Sequence, residues 1–168
     1  EAYQLAFFDA LTGLPNRRLL HDRLQQSMAA SARSGKYRAL LYLDLDHFKH
    51  VNDTWGHATG DQVLMHLAKL LRGNLLRKDD MAGRLGGEEF AVLLPDTTLP
   101  EGLGIAERLR AALEQSQIQS DKGQTIRVTM SVGACLVGSH SGSTLASADA
   151  ALYEAKNTGR NKVVLAQS

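Results

Sequence analysis

Sulfur, long apolar runs and excess charge are all scarce in this chain, and each shortage removes a class of protein. A single cysteine, Cys135, excludes an internal disulfide framework and fits a reducing compartment. Within the apolar run SVGACLVG it reads as a buried thiol rather than a nucleophile. No stretch approaches the roughly 20 apolar residues that span a bilayer, and no signal peptide is expected within these residues. Nineteen basic residues against eighteen acidic ones leave a formal charge of +1, so a nucleic-acid footprint has no support. There is no Gly-rich Walker loop and no G-x-S-x-G, and Ser131 and Ser139 lack the neighbours of a nucleophile. Of six histidines, His47 and His50 lie three apart, but nothing completes a zinc tetrahedron.

What remains is a chain of 168 residues, 43% apolar and 22% charged, long enough for one domain with a real core. It is expected to be cytoplasmic. It opens at Glu1 rather than methionine, so we expect a piece of a longer protein whose missing part holds a sensor or a membrane anchor. EAYQLAFF is a short apolar helix, and DALTGLPNRR a turn in which Asn16 caps the helix that follows to about Ser31. YRALLYLDLD is a strand, apolar to Leu43 and then abruptly acidic. The segment 59–76 is an amphipathic helix with Val63, Leu64, Leu67, Leu70 and Leu71 on one face. MAGRL and EFAVLLP are strands joined across Gly86 and Gly87. A helix at 99–116, a strand at 125–137, a helix closed by Gly159 and a last strand at 161–166 complete the order. The pattern predicts an α+β or split βαβ arrangement, a mixed sheet with helices packed on it. In such a sheet the end of the first strand can lie beside the hairpin turn, bringing Asp44 near Glu88.

That juxtaposition suggests chemistry. Asp44 and Asp46 share a face if the strand holds to its end. Clustered carboxylates repel one another unless a cation neutralises them, and hard oxygen ligands favour Mg²⁺ or Mn²⁺. A lone acid at a strand end more often caps a helix. Asp44 with Glu88 and Glu89, on adjacent elements with glycines giving clearance, points to a metal. HFKHVND opens a helical turn whose amides suit a phosphate, with Lys49 nearby. Lys156 and Arg160 flank Gly159 at a helix end. Asn52 and Asp61 suit a base edge, since a carboxylate accepts two N–H bonds from guanine.

Together DALTGLPNRR, LDLDHFKHVNDTWGHATGD, GRLGGEEF and YEAKNTGRNKV resemble the GGDEF family, the diguanylate cyclases, over nearly the whole chain. The resemblance implies a ferredoxin-like, palm-like nucleotide cyclase fold. Its central mixed five-stranded sheet is flanked by helices, with GGEEF on a hairpin turn. It divides the chain into the end of a linker helix, 1–8, and a catalytic domain, 9–168. It implies condensation of two GTP into cyclic di-GMP with release of two pyrophosphates, across a homodimer. By the family pattern Asp44, the Leu45 carbonyl and Glu88 hold Mg²⁺ or Mn²⁺, two ions per GTP. Asn52 and Asp61 read guanine, Phe48, Lys49 and His57 border the nucleotide, and Lys156 and Arg160 hold its β- and γ-phosphates. Glu88 and Glu89 are the catalytic acids, either of which takes the proton of the 3′-hydroxyl. Arg77 and Asp80 form an R-x-x-D five residues ahead of Gly86. In that register the family places a product-inhibition site, with Arg108 as its second arginine. The rivals are a non-catalytic cyclic di-GMP receptor and a polymerase or single-nucleotide cyclase using the same metal chemistry.

Overall fold

The run RALLYLDL forms strand β1 (Arg38–Leu45) and takes the middle of a sheet, because it is apolar on both faces. Leu41 and Leu43 pack towards one helical layer and Leu40 towards the other. This computed structural model describes residues 2–138 and 141–167, so Glu1 and Ser139 lie outside the described residues. Across the sheet the order is β2 (Met81–Gly86), β3 (Glu89–Pro95), β1, β6 (Met130–Leu136) and β7 (Val163–Leu165). β1 is antiparallel to both neighbours, β2 and β3 form the expected hairpin, and β6 pairs with β7 in parallel. The sheet is therefore mixed and five-stranded, as expected.

The helices are α1 (Ala2–Phe7), α2 (Arg17–Ser34), α3 (Phe48–Trp55), α4 (His57–Leu71), α5 (Leu99–Gln115) and α6 (Ser141–Asn157). Val51, Val63, Leu67, Ile105 and Leu109 bring α3, α4 and α5 onto one face of the sheet. Leu20, Leu24 and Met28 of α2 and Ala148 of α6 cover the other. Sequence signals set the helix ends: Asn16 accepts from the Leu19 amide, Gly35 closes α2 at φ 70°, and Thr98 with Glu101 forms a capping box on α5. α6 lies unusually close to β6 because residue 133 is glycine. A Cβ there would stand 2.4 Å from both the Ala148 oxygen and the Leu152 nitrogen. That close seat lets Lys156, one turn beyond Leu152, reach the end of β1.

Two expectations need correcting. The strand expected over 125–137 is broken into β5 (Thr125–Ile126) and β6, and β5 pairs with β4 (Ile118–Gln119) in a separate hairpin. The cause is local: Ser120 accepts amide bonds from Lys122 and Gln124, while Asp121 bonds Thr59 of α4 through both its amide and its carboxylate. Ile118 and Ile126 are buried against the α4 side of the core rather than extending the sheet. α4 begins at His57 and ends at Leu71, short of the expected 76, and its C-cap residue Arg72 is followed by Gly73. Among the described residues no helix is long and apolar enough to cross a membrane.

Candidate functional site

The acidic end of β1 lies against the hairpin turn. Asp44 is paired in register with Glu89, so their side chains share one face, and the Leu45 amide bonds the Glu88 carbonyl at 3.3 Å. Gly87 and Glu88 form the two-residue turn, with Gly87 at φ 52°. Arg84 steadies it by donating twice to the Gly87 carbonyl, at 3.0 and 2.8 Å, while its other nitrogen pairs with Asp9 at 3.2 Å. Lys156 completes the cluster, its ammonium 2.7 Å from the Asp44 carboxylate. Burial pushes the Asp44 carboxyl up to about 6, against the pull of Lys156 and with Glu88 and Glu89 adding like charge. Such crowded carboxylates suit a cation, with Lys156 standing as counter-ion here. Among the described residues no three His, Cys, Asp or Glu side chains gather as a ligand set. The donors fit the Mg²⁺ mode of one or two carboxylates, with water and phosphate completing the sphere.

Asp46 does not join this cluster. β1 stops at Leu45, and the buried Asp46 accepts hydroxyl bonds from Thr129 and Ser131 at 2.7 and 2.6 Å and the Asn161 amide at 3.0 Å. Ser131 is thus a structural donor, in keeping with its rejection as a nucleophile. Cys135 is buried, and burial pushes its thiol up to about 11, as suits an inert core residue.

Asn52 and Asp61, the residues expected to read a guanine edge, lie on consecutive helices. Asn52 is half-buried on α3, and Asp61 is exposed on the first turns of α4. Between them stands Gly60, a residue that sequence reasoning passed over. A Cβ on it would fall 1.9 Å from the Asn52 Oδ1 and 3.4 Å from the Phe48 ring. The carboxamide therefore occupies space that any other residue would fill. α3 opens without a side-chain cap, since His47 makes no capping bond, which leaves its first amides for a ligand. Lys49 is turned to Asp53 at 2.9 Å, and His57 is exposed at the head of α4. Arg160 is exposed just beyond α6.

Arg77 and Asp80 lie together at the start of β2, in a more closed arrangement than expected. Asp80 takes the Arg77 amide at 2.7 Å and its guanidinium at 2.9 Å, and the Asp80 side chain is only 1% exposed. The Arg77 Nη2 also bonds the Pro95 carbonyl and the Thr97 hydroxyl, locking the hairpin base to the α5 cap. Asp80 therefore orients Arg77, which itself stays 46% exposed. Arg108 is exposed on α5, ten residues from Thr98, or roughly 15 Å along the axis.

The model of the family described as diguanylate cyclase, GGDEF domain, matches residues 6–162. The chain is 45% identical over 165 residues to the diguanylate cyclase DgcP of Pseudomonas aeruginosa, covering 97% of this chain and 24% of that protein. It is 38% identical to the diguanylate cyclase DosC of Escherichia coli, covering 94% of this chain and 34% of that one. The chain thus spans a quarter to a third of the length of these relatives. Among solved structures, the GGDEF domain of TpbB (YfiN) from Pseudomonas aeruginosa superposes with a TM-score of 0.91 at 37% identity, over 95% of this chain and 94% of that one. The GGDEF domain of DgcB from Caulobacter crescentus, solved in complex with c-di-GMP, does so at 0.91 and 36%, over 97% and 94%. Sheet order, the GGEEF turn and a match over all but the chain's ends lead to one conclusion: the chain belongs to the diguanylate cyclase, GGDEF domain family.

Proposed function

We propose that this domain condenses two molecules of GTP into cyclic di-GMP and two pyrophosphates, each domain of a two-fold dimer holding one GTP. The observation that carries the reading is the buried Asp44 carboxyl at the end of β1, raised to about 6 and paired in register with Glu89 beside the hairpin turn, with Glu88 and Glu89 adding like charge. Asp44, the Leu45 carbonyl and Glu88 are the groups that would hold Mg²⁺ or Mn²⁺. What such ions supply when bound is neutralisation of the charge developing at the α-phosphate. The remaining work falls to the chain. Asn52 and Asp61 hold the guanine edge, with Asp61 favouring GTP over ATP, and Phe48, Lys49 and His57 border the nucleotide. Arg160, joined by Lys156 once it releases Asp44, holds the leaving pyrophosphate. In each half-reaction a 3′-oxygen attacks the partner's α-phosphorus and the bond to pyrophosphate breaks. One of the two glutamates, Glu88 or Glu89, takes the hydroxyl proton. The dimer is needed because one domain holds only half of the reacting pair. A linker helix ending near residue 8 would carry the signal from an upstream sensor.

Product feedback at Arg77 is part of the proposal. The Asp80-oriented guanidinium suits a guanine Hoogsteen edge or a phosphate, with Arg108 as a second cation. Asp80 reaches a guanine N–H only when its fork with Arg77 opens. The test is incubation with GTP and Mg²⁺, followed by mass spectrometry, with Glu88→Ala and Glu89→Ala as controls. Cyclic di-GMP from the parent chain and none from the controls is expected. No product at high protein concentration, with added cyclic di-GMP still bound, would point to a receptor instead.

A further inference from the structure

The residues that lead from α6 into β7 have an uncommon backbone. Gly159, Arg160 and Asn161 stand at φ 117°, 61° and 45° in succession. Glycine adopts that region freely and asparagine tolerates it, whereas arginine has no side-chain bond to offset it. Such a tract persists only where its surroundings hold it. Asp46, buried beneath Thr129 and Ser131, accepts the Asn161 amide at 3.0 Å. The Asn161 carboxamide is engaged at both ends with α5. Its oxygen accepts from Arg110 at 2.8 Å and its nitrogen donates to Glu114 at 2.5 Å. Arg110 is fixed in turn by Glu107 and Glu114, each at 3.2 Å. The Asn161 amide first, and Arg110 with it, hold the Glu114 carboxyl below its ordinary value. Arg160 itself is exposed, and among the described residues its side chain makes no hydrogen bond or ion pair. The restraint falls on the residue after the arginine and leaves the guanidinium free for a ligand.

We propose that Asp46, Asn161, Arg110 and Glu114 are positioning residues that aim Arg160 at the terminal phosphates of the nucleotide. This rests on the reading of Arg160 as a phosphate-holding group. A long exposed side chain loses conformational freedom on binding, and fixing its backbone beforehand lowers that cost. Asn161→Gly separates the two explanations for an asparagine here. Glycine keeps the left-handed conformation and relieves its strain, but removes both anchors to α5. The probes are the α,β-methylene analogue of GTP, which cannot release pyrophosphate, and GMP, both titrated by calorimetry with Mg²⁺. Asn161→Gly is expected to weaken the analogue about tenfold and GMP less than about twofold. Glu114→Ala, a milder change at the helix end, should weaken the analogue about threefold with the same preference. Arg160→Ala is the reference and should also cost about tenfold on the analogue. Parent-like affinity in Asn161→Gly and Glu114→Ala, with Arg160→Ala still weakened, overturns the proposal alone. Equal losses for analogue and GMP overturn it too, since they report a disturbed fold. Unchanged affinity in Arg160→Ala removes the phosphate-holding reading and the proposal with it.

Discussion

Replacing Asp44 by asparagine separates what this carboxylate does to the fold from what it does for the chemistry. Its side chain is 4% exposed, and burial raises its carboxyl from 3.8 to about 6. An acid whose folded value lies above its unfolded one binds its proton more tightly in the native state. Its contribution is therefore most favourable at low pH and is lost as pH rises from about 3.8 to about 6. At about 1.4 kcal/mol per pH unit, the ionised form costs about 3 kcal/mol at pH 8. Asparagine resembles the protonated acid, and Lys156, 32% exposed, can turn to water when its partner is neutral. At about 2–4 °C per kcal/mol for a chain of this size, Asp44→Asn should melt about 6–12 °C above the parent at pH 8 in chelator. That gap should shrink to about half by pH 5, where the native carboxyl is mostly protonated. Adding Mg²⁺ with GTP should raise the parent's melting temperature and leave the variant's almost unchanged, while turnover falls at least about 100-fold. Calorimetry across pH 5–8 makes the measurement. A variant no more stable than the parent at pH 8, or a gap that ignores pH, would refute the reasoning.

Three further predictions follow from other parts of the molecule. Gly60→Ala puts a methyl where the Asn52 oxygen lies, 1.9 Å away, and should weaken GTP binding about tenfold. In an Asn52→Ala background it should add almost nothing, and additive losses in titration calorimetry would sink the argument. Arg77→Ala should relieve inhibition by added cyclic di-GMP and leave the initial rate unchanged, as read from progress curves with and without product. Inhibition equal to the parent's would remove the feedback assignment. Fusing a constitutive dimeriser before Glu1 should raise specific activity most at low protein concentration, and a rate indifferent to both fusion and dilution would contradict the dimer requirement.

The residues of the candidate site were more legible in the sequence than the scaffolding that supports them. β1 and the hairpin were legible because apolar runs ending in acids and a Gly-Gly pair have few readings, and the structure pairs Asp44 with Glu89 as adjacent strands require. Asn16 was legible as a cap because capping is local. Asp46 was not, because its partners Thr129, Ser131 and Asn161 are more than 80 positions away and only the closed sheet unites them. Gly60 escaped notice because its meaning is the absence of a side chain beside Asn52, which no spacing announces. The broken strand at 125–137 misled because Ile126, Val128 and Met130 alternate as a strand would, while the Ser120–Gln124 turn and Asp121–Thr59 contact divert the chain.

The most direct test of the account is the stoichiometry of turnover. With GTP and Mg²⁺, pyrophosphate and nucleotide product can be quantified together by phosphorus NMR and mass spectrometry. Condensation across a dimer predicts cyclic di-GMP with two pyrophosphates for each molecule formed, at a rate per domain that rises with protein concentration. A cyclic mononucleotide released with one pyrophosphate, or no product while GTP is bound, would contradict it.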